Sequence, residues 1–476
     1  MTDCKQTSFE FHPLGRRQVT GKFDAPAISS DGGGLLLREV DNKFRIIEQF
    51  ATCFDDFRSP RFVQHSVGEL LAQRVFGIAL GYEDLNDHED LRHDPLMAVL
   101  AGKNIPVGAD GEPVLAGKST LNRLELTPTG ADHDSRYKKI VARHSKIEDF
   151  FVDAFLQQHQ QAPERIVLDL DATDDPLHGH QAGRFFHGYY KCYCYLPLYI
   201  FCGNDLLCAK LRPSDIDAAA GSVKQLDRIV SHIRQQWPDV KIVIRGDSGF
   251  CRESIMAWCE ANNVGYLFGL AKNKRLQRII GAELQQASEL FAATGSASRV
   301  FKDFMYRTQK SWSRERRVVG KAEHLAKGSN PRFVVTNISV EEFAAQALYE
   351  KEYCARGEME NRIKEQQLYL FADRTSASTM RANQLRLWLS SVAYVVVNAL
   401  RRHGLEGTEF EKAQCHTIRQ KLFKIGAEIQ VTVRKVWVSF SMAYPYAEVF
   451  QRVLSRLQAL ITPWPSFPTA IVPPNI

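Results

Sequence analysis

The 476-residue sequence lacks a long apolar run. Its longest, Leu387 to Leu400, is 14 residues and contains two serines and an asparagine. A helix needs about 20 apolar residues to cross a bilayer, so this stretch reads as a buried helix and no membrane partner is expected. Cysteine is scarce, with ten residues in the whole chain, which excludes a disulfide scaffold. The opening stretch MTDCKQTSFEFHPLG has no apolar leader segment, so reduced thiols and a cytoplasmic location are expected. No fixed-period repeat runs along the chain. Charge of one sign is also nearly missing: 61 Lys+Arg against 55 Asp+Glu leaves +6, a slight bias toward polyanionic partners. What is present, 44% hydrophobic and 24% charged residues, is the make-up of a folded protein of several domains.

Apolar periodicity sorts the chain into regions. Residues 1–150 read as mainly helical. A helix runs from the glycine-rich Asp31-Gly-Gly-Gly34 through Phe50, another over Ser66–Leu80, an acidic one over Asp84–Leu100 and a short one over Ser119–Leu126. From residue 165 the period changes. Strands are expected at Arg165–Asp171, in His187–Cys202, which Pro197 interrupts, and at Leu206–Leu211. A helix over Ala218–Trp237, a strand at Lys241–Arg245, a helix over Arg252–Asn262 and a strand at Tyr266–Leu270 follow. The order β-β-β-α-β-α-β places the chain in the α/β (α+β) class. Residues 272–340 break this alternation with a helix and strand-like pieces at 300–306, 316–319 and 332–335. Glu341–Glu365 reads as one long polar helix. The tail carries a basic stretch, an alternating strand (Ile429, Val431, Val433) and a helix from Ala447 to Leu460.

Acidic residues in the β-α alternation are candidates for chemistry. Asp169 and Asp171, two apart on one strand, share a face. Asp247 follows another strand, where Gly246 and Gly249 permit a sharp turn. Carboxylates gathered at strand ends suit Mg²⁺ or Mn²⁺ rather than Zn²⁺. Two such ions would activate a hydroxyl or water and stabilise the leaving oxygen of a phosphodiester. A third acid comes from the polar helix. On an ideal helix Arg356, Glu360, Lys364 and Gln367 fall within an arc of about 80°, close to the direction of Tyr353. Other motifs carry less. Gly117-Lys-Ser-Thr120 looks like a phosphate loop, but Gly111 is one residue too far away and no strand leads in. Cys192, Cys194, Cys202 and Cys208 lack paired zinc-ligand spacing and read as buried thiols.

Asp171-Ala-Thr173, Arg245-Gly-Asp247-Ser-Gly-Phe250 and Tyr353-x2-Arg356-x3-Glu360 together resemble the DDE transposases of bacterial insertion sequences, whose Y-(2)-R-(3)-E-(6)-K signature the last approaches. The final Lys of that signature is Gln367 here, and Lys364 could supply the charge. The stretches LDLDATDDPLHGHQ, YKCYCYLPLYIF and ENRIKE are similar to the insertion-sequence family numbered 1380.

The resemblance implies a ribonuclease H-like core with a β-rich insertion and an N-terminal helical, DNA-end-binding region. The expected bounds are 1–150 for that region, 151–271 for the first part of the core, 272–340 for the insertion and 341–476 for core completion with the catalytic Glu helix. Asp171 (Asp169 being the alternative), Asp247 and Glu360 would be the catalytic and metal-binding acids for two Mg²⁺ or Mn²⁺ ions. Tyr353, Arg356 and Lys364 would contact DNA. Trp312, amid Arg316, Arg317 and other bases of the insertion, would stack on a flipped base. The implied activity is cleavage and joining of DNA at terminal inverted repeats, by a homodimer on its DNA. The alternatives are a silent transposase-derived DNA binder and a nuclease of the same fold that never joins strands.

Overall fold

The computed structural model describes residues 8–108, 112–159 and 161–460. Residues 1–7 of the opening stretch, residues 461–476 of the tail and Gly111 of the phosphate-loop-like run lie outside them. The chain divides into two compact units. One comprises Met1–Glu48, Gly68–Lys118 and Ala399–Ile476, and the other Gln49–Val67 and Ser119–Asn398. Residues 1–150 are thus shared between the two.

In the first unit, β1 (Phe9–Leu14) and β2 (Arg17–Gly21) form an antiparallel hairpin with every residue but Gly21 exposed. β3 (Ile28–Ser29) pairs with β18 (Ala427–Val431), which pairs with β19 (Val436–Phe440). The glycine run after Asp31 has a steric cause. A Cβ on Gly33 would lie 1.7 Å from the Leu422 carbonyl oxygen, so only glycine lets the two backbones meet. The acidic segment expected as one helix is two, His88–Leu91 and Pro95–Leu100. Asp94 restarts the helix by accepting from the Leu96 N–H at 2.7 Å, with Pro95 in the first turn.

The second unit is built on a nine-stranded mixed sheet. Its strands are β6 (Arg165–Ala172), β10 (Leu198–Cys202), β11 (Asp205–Lys210), β12 (Lys241–Gly246), β13 (Gly265–Leu270), β14 (Ser298–Tyr306), β15 (Arg316–Leu325), β16 (Gly328–Ser329) and β17 (Arg332–Thr336). The order across it is β11-β10-β6-β12-β13-β17-β15-β14, with β16 on β15. β6, β12 and β13 are parallel and every other pair is antiparallel. The strands of 272–340 therefore extend the same sheet. Smaller ladders join β4 (Phe54–Asp56) to β5 (Ile140–Ala142), and β7 (Asp175–Pro176) and β8 (Phe185–His187) to β9 (Cys192–Tyr195).

Strand alternation decides what each face carries. Leu168, Leu170, Ile242 and Ile244 enter the main core, against Leu226, Ile229 and Ile233 of helix Ser222–Gln236 and Ile255 and Met256 of helix Glu253–Ala261. Their neighbours Asp169, Asp171, Val243 and Arg245 belong to the opposite face, where Val243 and Leu267 pack with Leu348 and Tyr349. The segment over that face is not the uniform helix expected from its sequence. Ala345–Ala347 is a short α-turn, Leu348–Tyr353 winds as π-helix, Cys354–Arg356 as 3₁₀-helix, and Gly357–Leu370 is α-helical. The wide and tight turns break an even count of 100° per residue, so the angular positions taken from Tyr353 do not hold across Gly357. The apolar run Leu387–Leu400 lies in helix Met380–His403, with Leu387, Leu389, Val392 and Val396 fully buried. No helix among the described residues is long and apolar enough to cross a membrane.

Candidate active site

The site begins with the register of two parallel strands. Asp169 on β6 lies opposite Arg245 on β12, and Leu170 opposite Gly246. One step further, Asp247 leaves β12 alongside Asp171, on strands about 4.8 Å apart. The turn that follows is held by the Asp247 carboxylate, whose Oδ1 accepts from the Gly249 N–H at 2.8 Å. The same register separates the two candidate first acids. Asp169 is buried and clamped by Arg245, whose Nη2 donates to Oδ2 at 2.7 Å. Arg245 also donates to the Glu352 carbonyl, fastening the sheet to the helical segment above it. Asp169 is thus a structural partner, whereas Asp171 faces a guanidinium and other acids.

That guanidinium is Arg356. Its Nη2 lies 3.5 Å from Asp171 Oδ1 and its Nη1 3.3 Å from Glu360 Oε1, so it bridges two of the three acids. Burial pushes the Asp171 carboxyl up to about 6; Arg356 pulls against the rise, while the charges of Asp247 and Glu360 add to it. Three carboxylates share one cation here. Their oxygen donors suit a hard divalent ion. In this arrangement, however, no group of three or more His, Cys, Asp or Glu side chains among the described residues is gathered closely enough to hold one.

Tyr353 reaches the same place from the π-turn. A Cβ on Gly269 would lie 2.5 Å from the Tyr353 hydroxyl and 3.0 Å from the Ser248 nitrogen, so the glycine at the end of β13 makes room for the ring. Burial raises the Tyr353 phenol, and the Asp247 charge adds to the rise. A cavity of about 330 Å³ opens beside Asp247, lined among others by Lys272, Arg332, Tyr349 and Tyr353. Sequence reasoning passed over Lys272, Arg332 and Tyr349, because nothing in their local pattern marks them and the sheet order alone brings them here. Lys364 is exposed one turn beyond Glu360. Gln367, at the signature's lysine position, donates to the Asp174 carbonyl at 3.0 Å.

The structure gives the insertion residues other work. Trp312 is 5% exposed, edge-on to Tyr306 at 5.7 Å and under the Arg316 guanidinium at 5.6 Å. Arg316 is itself buried, bonding to Glu253 and Glu260. Arg317 binds Asp303 and the carbonyls of Ile338, Ser339 and Phe343. The Trp312 ring, expected to stack on a base, thus packs in the core here, and both arginines bond to internal partners.

No curated protein matches the sequence. Among solved structures, the cryo-EM structure of a piggyBac transposase synaptic complex with hairpin DNA is similar at 10% identity and a TM-score of 0.38, over 82% of this chain and 80% of that one. The family model for transposase DDE domain group 1 matches residues 11–462, nearly the whole chain, and the chain therefore belongs to that transposase family.

Proposed function

We propose that this protein cleaves DNA at the terminal inverted repeats of an insertion sequence and joins the freed 3′-hydroxyl to target DNA, within the family numbered 1380. The carrying observation is Arg356 between Asp171, at 3.5 Å, and Glu360, at 3.3 Å, with the charge of Asp247 acting on Asp171 where β6 and β12 end side by side. The order β11-β10-β6-β12-β13, antiparallel on one side of β6 and parallel on the other, supports a ribonuclease H-like core, with 272–340 as its insertion. Residues 1–150 would serve end binding and 341–476 would complete the core.

Asp171, Asp247 and Glu360 would hold two Mg²⁺ or Mn²⁺ ions. Bound there, the ions supply Lewis acidity for in-line phosphoryl transfer. The chain's own part is to orient. Asp171 and Asp247 sit just beyond the register of β6 and β12, while Glu360, 49% exposed on its helix and paired with Arg356, would turn toward them. Arg356 would exchange its carboxylate partners for a DNA phosphate, with Tyr353 and Lys364 contacting the backbone beside it. Two element ends must be held together, which calls for a dimer on DNA, in the bacterial cytoplasm and at the nucleoid.

The absence of a gathered metal group among the described residues favours one second reading, a silent DNA-binding descendant. A single experiment decides. Purified protein is incubated with the element's end sequences, with and without Mg²⁺, beside Asp247→Asn. Cleaved and joined products that need Mg²⁺ and vanish in the variant, while end binding persists, support the transposase. Binding without any product supports the silent reading, and nicked DNA without joining supports a nuclease.

A further inference from the structure

The first unit projects two β-ribbons with the same tip chemistry. β1 and β2 close over the two-residue turn Gly15-Arg16, with Gly15 at φ +61°, and carry exposed Leu14, Arg16 and Arg17 at the tip. β18 and β19 close over Thr432–Lys435, where the Thr432 N–H donates to the Lys435 carbonyl at 2.8 Å. Val433, Arg434 and Lys435 are exposed at that tip. Each tip thus presents one apolar side chain followed by two adjacent cations. Leu14 is 71% exposed and Val433 fully so.

Neither tip is explained by packing. Arg16, Arg17 and Arg434 have no side-chain ion pair among the described residues, and Lys435 has only the Trp437 ring, 5.0 Å away. No Asp or Glu lies between Glu428 and Glu448, so the second ribbon's outer part is purely cationic. The two ribbons also share a root. β3 begins seven residues after the end of β2 and pairs with β18, so the bases of the ribbons lie within about 25 Å of chain. Cations at an exposed ribbon tip match phosphate oxygens, and an exposed apolar side chain beside them matches the wedges that enter between base steps in a groove.

We propose that the β1–β2 and β18–β19 ribbons are paired arms that grip duplex DNA, with Arg16, Arg17, Arg434 and Lys435 on phosphates and Leu14 and Val433 directed into a groove. This inference rests on the transposase reading and adds to it a contact surface drawn from both ends of the chain.

The test is fluorescence anisotropy of full-length protein on a duplex carrying an element end, across a fourfold range of KCl. Wild type is compared with the two double alanine variants, Arg16→Ala/Arg17→Ala and Arg434→Ala/Lys435→Ala, and with the quadruple. All four residues are exposed, so folding should survive, and circular dichroism checks this. If each residue contacts one phosphate, wild type loses about 150-fold more affinity over that salt range than the quadruple variant, and about 12-fold more than either double. Wild-type binding with an unchanged salt slope in the quadruple overturns the arms and leaves the transposase reading standing. A change in oligomeric mass by light scattering, with no change in slope, also overturns them and makes the ribbons a contact between copies. If wild type binds no duplex at any salt, the transposase reading itself falls.

Discussion

Asp171 and Asp169 sit two residues apart on one strand, and replacing each by asparagine should shift stability in opposite directions. Folding moves the Asp171 carboxyl from its ordinary 3.8 to about 6. The native state therefore holds an extra proton between those values, and stability is lost as pH rises through them. Above about pH 6 the loss is complete, at about 3 kcal/mol. Asparagine resembles the protonated acid at every pH. Without divalent ions, Asp171→Asn should unfold several degrees above wild type at pH 7.5 and level with it below pH 4. Asp169→Asn instead leaves the buried Arg245 without its anion and should be destabilising by about 3–5 kcal/mol. Differential scanning fluorimetry against pH, with and without Mg²⁺, reads all of this. Mg²⁺ should raise the midpoint of wild type and leave Asp171→Asn unmoved, because a ligand stabilises only the state that binds it. An Asp171→Asn protein that is no more stable than wild type at pH 7.5 would refute the reading that burial, only partly offset by Arg356, holds this carboxyl up.

Gly269→Ala places a methyl against the Tyr353 hydroxyl and the Ser248 backbone, and should lower stability by about 1–3 kcal/mol in urea unfolding; adding Tyr353→Phe should restore part of it. Trp312→Ala should cost about 3–5 kcal/mol through its cavity while the folded protein keeps its DNA affinity, and a selective loss of affinity measured by anisotropy would return the ring to a DNA role. Arg356→Gln removes the cation that Asp171 and Glu360 share, so the metal-free protein should melt lower and gain more from Mg²⁺ than wild type does. Equal gains by fluorimetry would show that the arginine does not stand in for a bound cation.

Much of this was legible in the linear chain, because much of it is local. Arg165–Asp171, Lys241–Arg245 and Tyr266–Leu270 are short apolar runs between turn residues, and each forms a strand close to its expected bounds. Asp247 stands out after its strand beside two turn glycines, whereas Asp171 and Glu360 are singled out through the resemblance of their motifs to DDE transposases. Tertiary structure decided whatever depends on a partner distant in sequence. Asp169 and Asp171 look alike until β12 brings Arg245 opposite one and Asp247 beyond the other. Trp312 sits in a basic stretch that suggests a nucleic-acid surface, yet Glu253 and Glu260, over fifty residues earlier, draw Arg316 and the ring inward. The 345–370 segment could not reveal its π and 3₁₀ turns, since helical periodicity assumes a constant pitch that packing on the sheet overrides. The hairpin β1–β2 escaped notice because exposed strands carry no buried alternation to mark them. Composition and short-range pattern determine which elements form and which side chains are chemically able; strand register and packing, set by contacts far apart in the chain, determine which of those side chains meet.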